Sequence, residues 1–373
     1  MLQFAIPCLL GLESLVGDEV KKLGLADVKV ENGRVLCRGE ERDLARLNIN
    51  LRCGARVILV LHKFRATDFE SLFQGVRAVH WEDWIPREGE FPVVGYSINS
   101  TLHSVPACQS IVKKAVVDRL SAAYGIAQFP ETGRRYQVRF SIMKDEVTVG
   151  LDTSGEGLYK RGYRAVGVAA PLKETLAAAM VKLSHYNGRD PFCDPFCGSG
   201  TIAIEAALIA RNRAPGLNRS FAAQHWAMVD KRIWLDAADE AMDNEFHDKT
   251  YEIWGGDIDP HAVEIARHNA ELAEVDDTVR FEVDDATRFH WGGQYGRVVT
   301  NPPYGERLLE QKEAEELYRA FGRAIDKLPE TWRVYVLSSH TEFERCFGRT
   351  ADKKRKLYNG MLKCDLFMYG KRL

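Results

Sequence analysis

Two short segments hold the residues best suited to chemistry. The first is the stretch DPFCGSGT at 194–201, which places two glycines between a predicted strand and a predicted helix. Gly198 and Gly200 let the backbone approach a ligand where a side chain would collide. The helix that follows directs its free N–H groups and the positive end of its dipole to the same place. The second segment is NPPY at 301–304, a stiff and electron-rich turn after an apolar strand.

The glycine loop matches neither of two common nucleotide-binding patterns. A Walker loop requires lysine after its last glycine, and here Thr201 and Ile202 follow Gly200. A dinucleotide fold places an acid about 20 residues beyond its glycines. In this chain an insertion over 211–250 separates the loop from Asp257, the acid that ends the second strand. Both phosphate-binding interpretations are therefore disfavoured.

Acids at the ends of three successive predicted strands favour S-adenosylmethionine as the ligand. Asp194 suits the methionine amino group, Asp257 can accept both ribose hydroxyls, and Asp285 can accept from the adenine amino group. The residues predicted to bind this cofactor are Asp194, Phe196, Cys197, Gly198, Ser199, Gly200, Thr201, Asp257, Ile258, Asp285, Ala286 and Asn301.

The segment Asn301, Pro302, Pro303 and Tyr304 predicts a clamp for an exocyclic amino group. The lone pair of an aryl amine is delocalised, so its nitrogen attacks poorly until it is drawn toward sp³ geometry. The side-chain oxygen of Asn301 and the carbonyl of Pro302 can accept its two N–H bonds and stabilise the growing positive charge. Tyr304 can stack on the base. The clamp leaves adenine N6, cytosine N4, glutamine N5 and guanine N2 open as acceptors, and it requires no metal.

The bulk composition is that of an ordinary globular protein. At 373 residues the chain predicts two or three domains. No apolar run approaches the ~20 residues of a membrane span, and no signal peptide is apparent. The eight cysteines lack a paired framework and a C-x-x-C motif, which predicts reduced thiols, no metal site and a cytoplasmic location.

The order of predicted elements indicates an α+β region followed by an α/β domain. Helices and strands are mixed up to a predicted strand pair at 135–142 and 146–152. The glycine-rich and basic stretch 153–173 predicts a linker. Beyond it, strand–helix repeats predict a mostly parallel, doubly wound sheet of Rossmann-like type, with strands at 192–194, 253–257, 279–283, 297–301 and 333–338.

Four stretches of the chain resemble the THUMP-containing RNA guanine-N2 methyltransferases. They are LDTSGEGLYKRGYR at 151–164, APLKETLA at 170–177, APGLNRSF at 214–221 and NPPYGERL at 301–308. The last two are similar to a bacterial branch that acts on 23S ribosomal RNA and includes the N-terminal half of RlmL. The resemblance implies a ferredoxin-like region at 1–60, a THUMP RNA-binding domain at 61–155, a linker at 156–175 and a Rossmann-like class I methyltransferase domain at 176–373.

The resemblance also implies an RNA partner and N2-methylguanosine as the product. The basic residues expected to contact RNA are Arg134, Arg135, Arg139, Lys160, Arg161, Arg164, Lys353, Lys354, Arg355 and Lys356. Three alternatives stay open: the same chemistry on tRNA, adenine-N6 methylation of DNA, and a non-catalytic RNA-binding protein. The sequence gives neither the target nucleotide nor the oligomeric state.

Overall fold

The computed structural model describes residues 1–164, 172–304 and 308–370, except for the side chains of 308 and 309. Residues 165–171 of the predicted linker and 305–307 of the NPPYGERL stretch lie outside the described residues. Among the described helices, none combines the length and the apolar character needed to cross a membrane.

The N-terminal region forms one seven-stranded sheet in the order β2-β3-β1-β4-β7-β6-β5. Its elements are β1 (Leu2–Pro7), α1 (Glu13–Lys22), β2 (Ala26–Glu31), β3 (Arg34–Gly39), α2 (Glu41–Asn50), β4 (Ile58–Arg65), α3 (Phe69–Arg77), β5 (Val93–Ile98), α4 (Val105–Tyr124), β6 (Val138–Met143) and β7 (Glu146–Asp152). Only the β5–β6 pair is parallel. The boundary predicted at residue 60 falls inside β4, which pairs with both β1 and β7 and so joins the two predicted regions in one sheet.

Strands β1, β3 and β7 each bury consecutive side chains, so residues on both faces of the sheet are buried. In β1, Phe4 and Ile6 are fully buried and belong to the core that also holds Val16 of α1 and Leu44 of α2. Helix α3 begins where the Asp68 carboxylate accepts from the Ser71 amide at 2.7 Å, an N-cap that satisfies a free backbone donor. The apolar faces of the helices therefore cover one side of the sheet.

The C-terminal region contains a second seven-stranded sheet in the order β10-β9-β8-β11-β12-β14-β13. Its elements are α5 (Glu174–Leu183), β8 (Phe192–Asp194), α6 (Thr201–Ala210), α7 (Arg232–Asp243), β9 (Ile253–Asp257), α8 (Pro260–Leu272), β10 (Val279–Val283), β11 (Arg297–Thr300), α9 (Leu308–Ile325), β12 (Arg333–Ser338), α10 (Phe343–Phe347), β13 (Lys353–Asn359) and β14 (Leu362–Tyr369). Strands β8 to β12 are parallel and the β13–β14 hairpin is antiparallel. The prediction of a mostly parallel sheet is confirmed.

The segment predicted as a linker is packed between the two sheets over its described part. Arg161 is only 3% exposed, and its guanidinium donates to the carbonyls of Leu158 and Arg52 and pairs with Glu205 at 3.3 Å. Arg164 donates to the Thr201 hydroxyl at 2.7 Å and to the Leu172 carbonyl. The predicted RNA contact at Arg161 is therefore wrong, because its guanidinium is buried. The guanidinium of Arg164 also forms its hydrogen bonds inside the protein.

The insertion over 211–250 joins the C-terminal sheet to the N-terminal region. Its helix α7 packs against α2, and the Arg46 guanidinium pairs with Glu240 at 2.8 Å. The Trp226 indole stacks on Tyr136 and donates to the Arg135 carbonyl at 3.1 Å. The two regions are thus held by contacts that lie far apart in sequence.

Candidate active site

A cavity of about 760 Å³ opens at the carboxyl ends of β8, β9, β10 and β11. This is the edge at which parallel α/β sheets bind ligands. Its described lining comes from four strand-end loops, from the tip of the β13–β14 hairpin, and from residues before α5 and on α9: Lys173, Pro195, Phe196, Gly198, Asp257, Ile258, Asp285, Ala286, Asn301, Pro302, Pro303, Tyr304, Glu310, Leu317, Asn359, Gly360 and Leu362.

The two glycines of the loop after β8 have different functions. Gly198 has φ +52°, lines the cavity and has open space where a Cβ would stand. Its amide donates to the Asp257 carboxylate at 2.9 Å, which ties the loop to the end of β9. Gly200 has φ +84°, and a Cβ there would lie 2.8 Å from the Phe281 ring. Gly200 is therefore needed for packing, and Gly198 is the glycine beside the cavity.

The side chains around Gly200 lie behind the loop. Cys197, Ser199 and Thr201 are buried, and none of them lines the cavity. The Thr201 hydroxyl accepts from Arg164, and the Ser199 carbonyl accepts from Asn269 at 3.0 Å. These three buried residues and Gly200 are predicted to bind the cofactor, but the structure does not place them at the cavity. Phe196, Gly198, Ile258 and Ala286 do line it.

The three predicted acids lie in three different environments. Asp194 is buried, and one carboxylate oxygen accepts from the Thr300 hydroxyl at 2.6 Å. Its other oxygen has no partner among the described residues. Burial raises the pKa of Asp194 to about 7, although the Thr300 hydrogen bond acts in the opposite direction. Asp194 is not among the residues that line the cavity, so the structure does not place it there as predicted. Its unpartnered oxygen lies behind the lining and can still accept a hydrogen bond.

Asp257 and Asp285 both line the cavity and remain partly exposed. Besides Gly198, Asp257 accepts from the Asp259 amide at 3.0 Å. Asp285 accepts from the hydroxyl and the amide of Thr287 at 2.7 and 2.9 Å, and these bonds lower its pKa. Both positions can present carboxylate oxygens to donors in the cavity.

The predicted clamp is held by two tyrosines. Asn301 directly follows β11, and its side-chain oxygen accepts from the Tyr304 hydroxyl at 2.5 Å. The Pro303 carbonyl accepts from Tyr318 of α9 at 2.5 Å. Burial raises the pKa of Tyr304 above its usual range and that of Tyr318 to about 12, so both phenols stay protonated and donate. The turn is therefore fixed from both sides.

Several residues that line the cavity are not among the residues predicted for the site. They are Lys173, Glu310, Leu317, Asn359, Gly360 and Leu362. Gly360, the first residue of the two-residue turn Gly360–Met361, is a usable signal for the hairpin. Lys173 lies 5.0 Å from the centroid of the Tyr159 ring, so the cavity edge reaches the segment predicted as a linker.

Some side chains predicted to contact RNA are exposed, and others pair with groups of the protein itself. Arg134, Arg135, Lys353 and Lys356 are exposed. Lys160 pairs with Glu156 at 2.5 Å, Lys354 pairs with Glu344 at 2.7 Å, and Arg139 shares the buried Asp152 with Arg56. Arg355 donates to the Gly11 carbonyl. Within the described residues, no cluster of His, Cys, Asp and Glu has a metal-binding arrangement.

Together, the parallel sheet, the glycine loop and the clamp define a Rossmann-like methyltransferase. The family model of RMKL-like methyltransferase domains matches residues 161–367, and the chain belongs to that family. The RlmL ferredoxin-like domain matches residues 3–58 and the THUMP domain matches residues 66–152. The predicted fold class and the predicted family are therefore confirmed.

Relatives of known name cover nearly the whole chain. YpsC of Bacillus subtilis (strain 168), named as a candidate RNA methyltransferase, is 44% identical over 96% of this chain and 94% of its own length. The structure of SMU.472, a candidate methyltransferase in complex with SAH, is 42% identical with a TM-score of 0.90, over 100% of this chain and 99% of that chain. A protein from Listeria monocytogenes str. 4b F2365, predicted to be an N6-adenine-specific DNA methylase, is 47% identical with a TM-score of 0.92, over 99% and 96%.

Proposed function

We propose that this protein uses S-adenosylmethionine to methylate the N2 amino group of guanosine in 23S ribosomal RNA. The observation that carries the proposal is that Asn301, Pro302 and Tyr304 line the same cavity as Asp257 and Asp285. Residues suited to an amino group and residues suited to a nucleoside therefore share one cavity. The ferredoxin-like and THUMP matches support RNA as the class of substrate.

The residues of the cavity fit S-adenosylmethionine. Asp194 is buried behind the lining, and its unpartnered oxygen can accept from the methionine ammonium group directly or through water. Asp257 can accept from the ribose hydroxyls and Asp285 from the adenine amino group. Ile258 is 71% exposed and offers an apolar surface for the adenine ring. The bound cofactor supplies an electrophilic methyl group, and a relative of 42% identity carries the demethylated product SAH.

The clamp residues orient the acceptor nitrogen. A carbonyl oxygen can accept two hydrogen bonds, so the Asn301 oxygen can accept from an amino group while it still accepts from Tyr304. The Pro302 carbonyl receives no hydrogen bond from the described residues and can take the second N–H. These two acceptors favour the positive charge that develops on nitrogen. The proton leaves to water after methyl transfer.

Two other acceptors define the alternatives that an experiment must separate. Guanine N2 in tRNA requires the same clamp. Adenine N6 in DNA also suits an asparagine–proline clamp, and the Listeria relative is named for that activity. The THUMP match favours RNA over DNA.

The test uses the purified full-length protein, labelled S-adenosylmethionine, and total RNA and genomic DNA from a strain that lacks the gene. The RNAs are separated by size and digested to nucleosides. We expect label in 23S RNA that migrates as N2-methylguanosine, and none with the Asn301→Ala variant. Label in the tRNA fraction would move the substrate to tRNA, and label in DNA as N6-methyladenine would overturn the proposal.

A further inference from the structure

A fully exposed apolar side chain stands at the rim of the cavity. Met361 is the second residue of the two-residue turn between β13 and β14 and is 100% exposed. Its neighbours Gly360 and Leu362 both line the cavity, as does Asn359. The methionine thus projects into solvent from the element that forms one cavity wall.

The hairpin that carries Met361 is rigidly supported. Asn359 pairs with Leu362 across the turn, and Gly360 has φ +64°, a conformation that favours glycine. Strand β14 pairs with β12 inside the sheet, and Leu357 and Leu366 are buried. The tip is therefore held in place beside the cavity.

The stem of the same hairpin is basic. Lys353, Lys356 and Lys363 are exposed on its two strands. Lysines on a stem suit phosphate groups, whereas an apolar tip suits the faces of bases, since proteins that open a stack insert apolar side chains between base steps. The combination fits a nucleic acid that is contacted through both its backbone and its bases.

A base in a stack cannot enter the cavity without leaving the stack, and unstacking costs a few kcal/mol per step. We propose that Met361 is a wedge that occupies the gap left in folded RNA when the target nucleotide enters the cavity. This inference rests on the proposed function and adds a positioning residue to it. Met361 should then raise kcat/KM for a target nucleotide that is stacked and change it little for one that is already unstacked.

The test compares two forms of one substrate, total RNA from the strain that lacks the gene. One form is refolded in Mg²⁺, and the other is cut into short pieces that do not retain base pairing. We expect Met361→Ala to lower kcat/KM on the folded form about tenfold and on the short pieces less than twofold. Met361→Leu should restore most of the activity. Leu235→Ala, which removes a side chain 64% exposed on α7, is the matched control and should change neither form.

The outcomes separate the two proposals. If the wild-type protein labels both forms and Met361→Ala alters them equally or not at all, the wedge is wrong and the proposed function stands. If the wild-type protein labels no RNA in either form, the proposed function fails and the wedge fails with it. Unchanged cofactor affinity and melting temperature in Met361→Ala would show that the variant is folded.

Discussion

The hydroxyl of Tyr304 donates a 2.5 Å hydrogen bond to the side-chain oxygen of Asn301. The aromatic residue of the clamp therefore orients the amide residue of the same clamp. This role is distinct from stacking on the base, which stays a prediction for the Tyr304 ring at the cavity wall.

Tyr304→Phe removes this bond and keeps the ring. We expect kcat to fall about fivefold, because a hydrogen bond is worth ~1 kcal/mol and the amide would lose its fixed orientation. KM for RNA should change little if the ring stacks on the base. Steady-state methyl transfer measures both constants. A wild-type kcat would show that the hydroxyl has no positioning role.

Asn301→Ala removes the acceptor itself. Methyl transfer should fall ~10²-fold or more, whereas the Kd for S-adenosylmethionine should stay within twofold, because the lost interaction concerns the acceptor amine. Single-turnover methylation and calorimetric titration of the cofactor provide the two readouts. Equal losses in both would make Asn301 a structural residue.

Cofactor affinity should depend on pH through Asp194. Its pKa is raised to about 7, so the carboxylate is increasingly protonated below that pH. The Kd for S-adenosylmethionine should then rise about tenfold for each pH unit below 7 and be flat above it. Asp194→Asn should bind weakly at every pH and lose this slope. Titration calorimetry between pH 5.5 and 8.5 gives the profile.

The same pKa predicts an effect on stability without cofactor. A folded-state pKa above the unfolded value near 3.8 means that the folded state binds more protons between these pH values, so Asp194 lowers stability as pH rises from about 4 to 7. The full effect is on the order of 4 kcal/mol. Asp194→Asn should therefore be the more stable protein in urea at pH 8. At pH 4 the two proteins should be nearly alike.

The buried pair of Arg161 and Glu205 should stabilise the junction between the sheets. Arg161→Met leaves the Glu205 carboxylate buried without its cation and should cost about 3–5 kcal/mol of unfolding free energy. Adding Glu205→Gln should recover part of this loss, because the buried charge is gone. Urea unfolding measures both variants. RNA affinity per folded molecule should stay unchanged, since Arg161 is not exposed.

Within the basic run of β13, Lys353 and Lys356 should carry the RNA contacts. Reversing both to glutamate should weaken RNA binding and reduce the slope of log K against log salt by about 2, since each phosphate contact contributes about one unit. Filter binding across salt concentrations measures the slope. Reversal of the exposed Lys22 and Lys327 controls for net charge, and an equal effect there would assign the change to charge alone.

The sequence predicts several strands of both sheets well and does not predict the C-terminal hairpin. Strands β7, β8, β9, β10 and β12 begin and end at the predicted residues, because buried strands are short apolar runs bounded by polar residues. Strand β13 is missed because its first four residues are all basic. Such residues are typical of an edge strand that is protected against pairing with other chains. Because β13 is not predicted, β14 and the cavity wall that the hairpin forms are not predicted either.

The sequence predicts the site residues that belong to a recognisable motif. The strand-end acids and the clamp lie where the strand–helix pattern places them. Burial is not readable from a glycine-rich segment, so Arg161 and Arg164 resemble surface cations although they serve the interior. The interaction of Tyr304 with Asn301 depends on side-chain rotamers, which a motif does not specify.

One contact between distant parts of the chain bears on how a target is chosen. Arg355 lies in the hairpin that forms one cavity wall, and it donates to the carbonyl of Gly11 in the loop between β1 and α1 of the N-terminal region. This contact ties the cavity wall to the N-terminal sheet, which carries the THUMP match, and so helps to fix the distance between them. If the proposed function holds, two RNAs with the same bases around the target nucleotide, but a different distance from it to the feature bound by the N-terminal region, would be methylated at different rates. Selection would then follow the three-dimensional shape of the RNA, with little need for a code of base contacts.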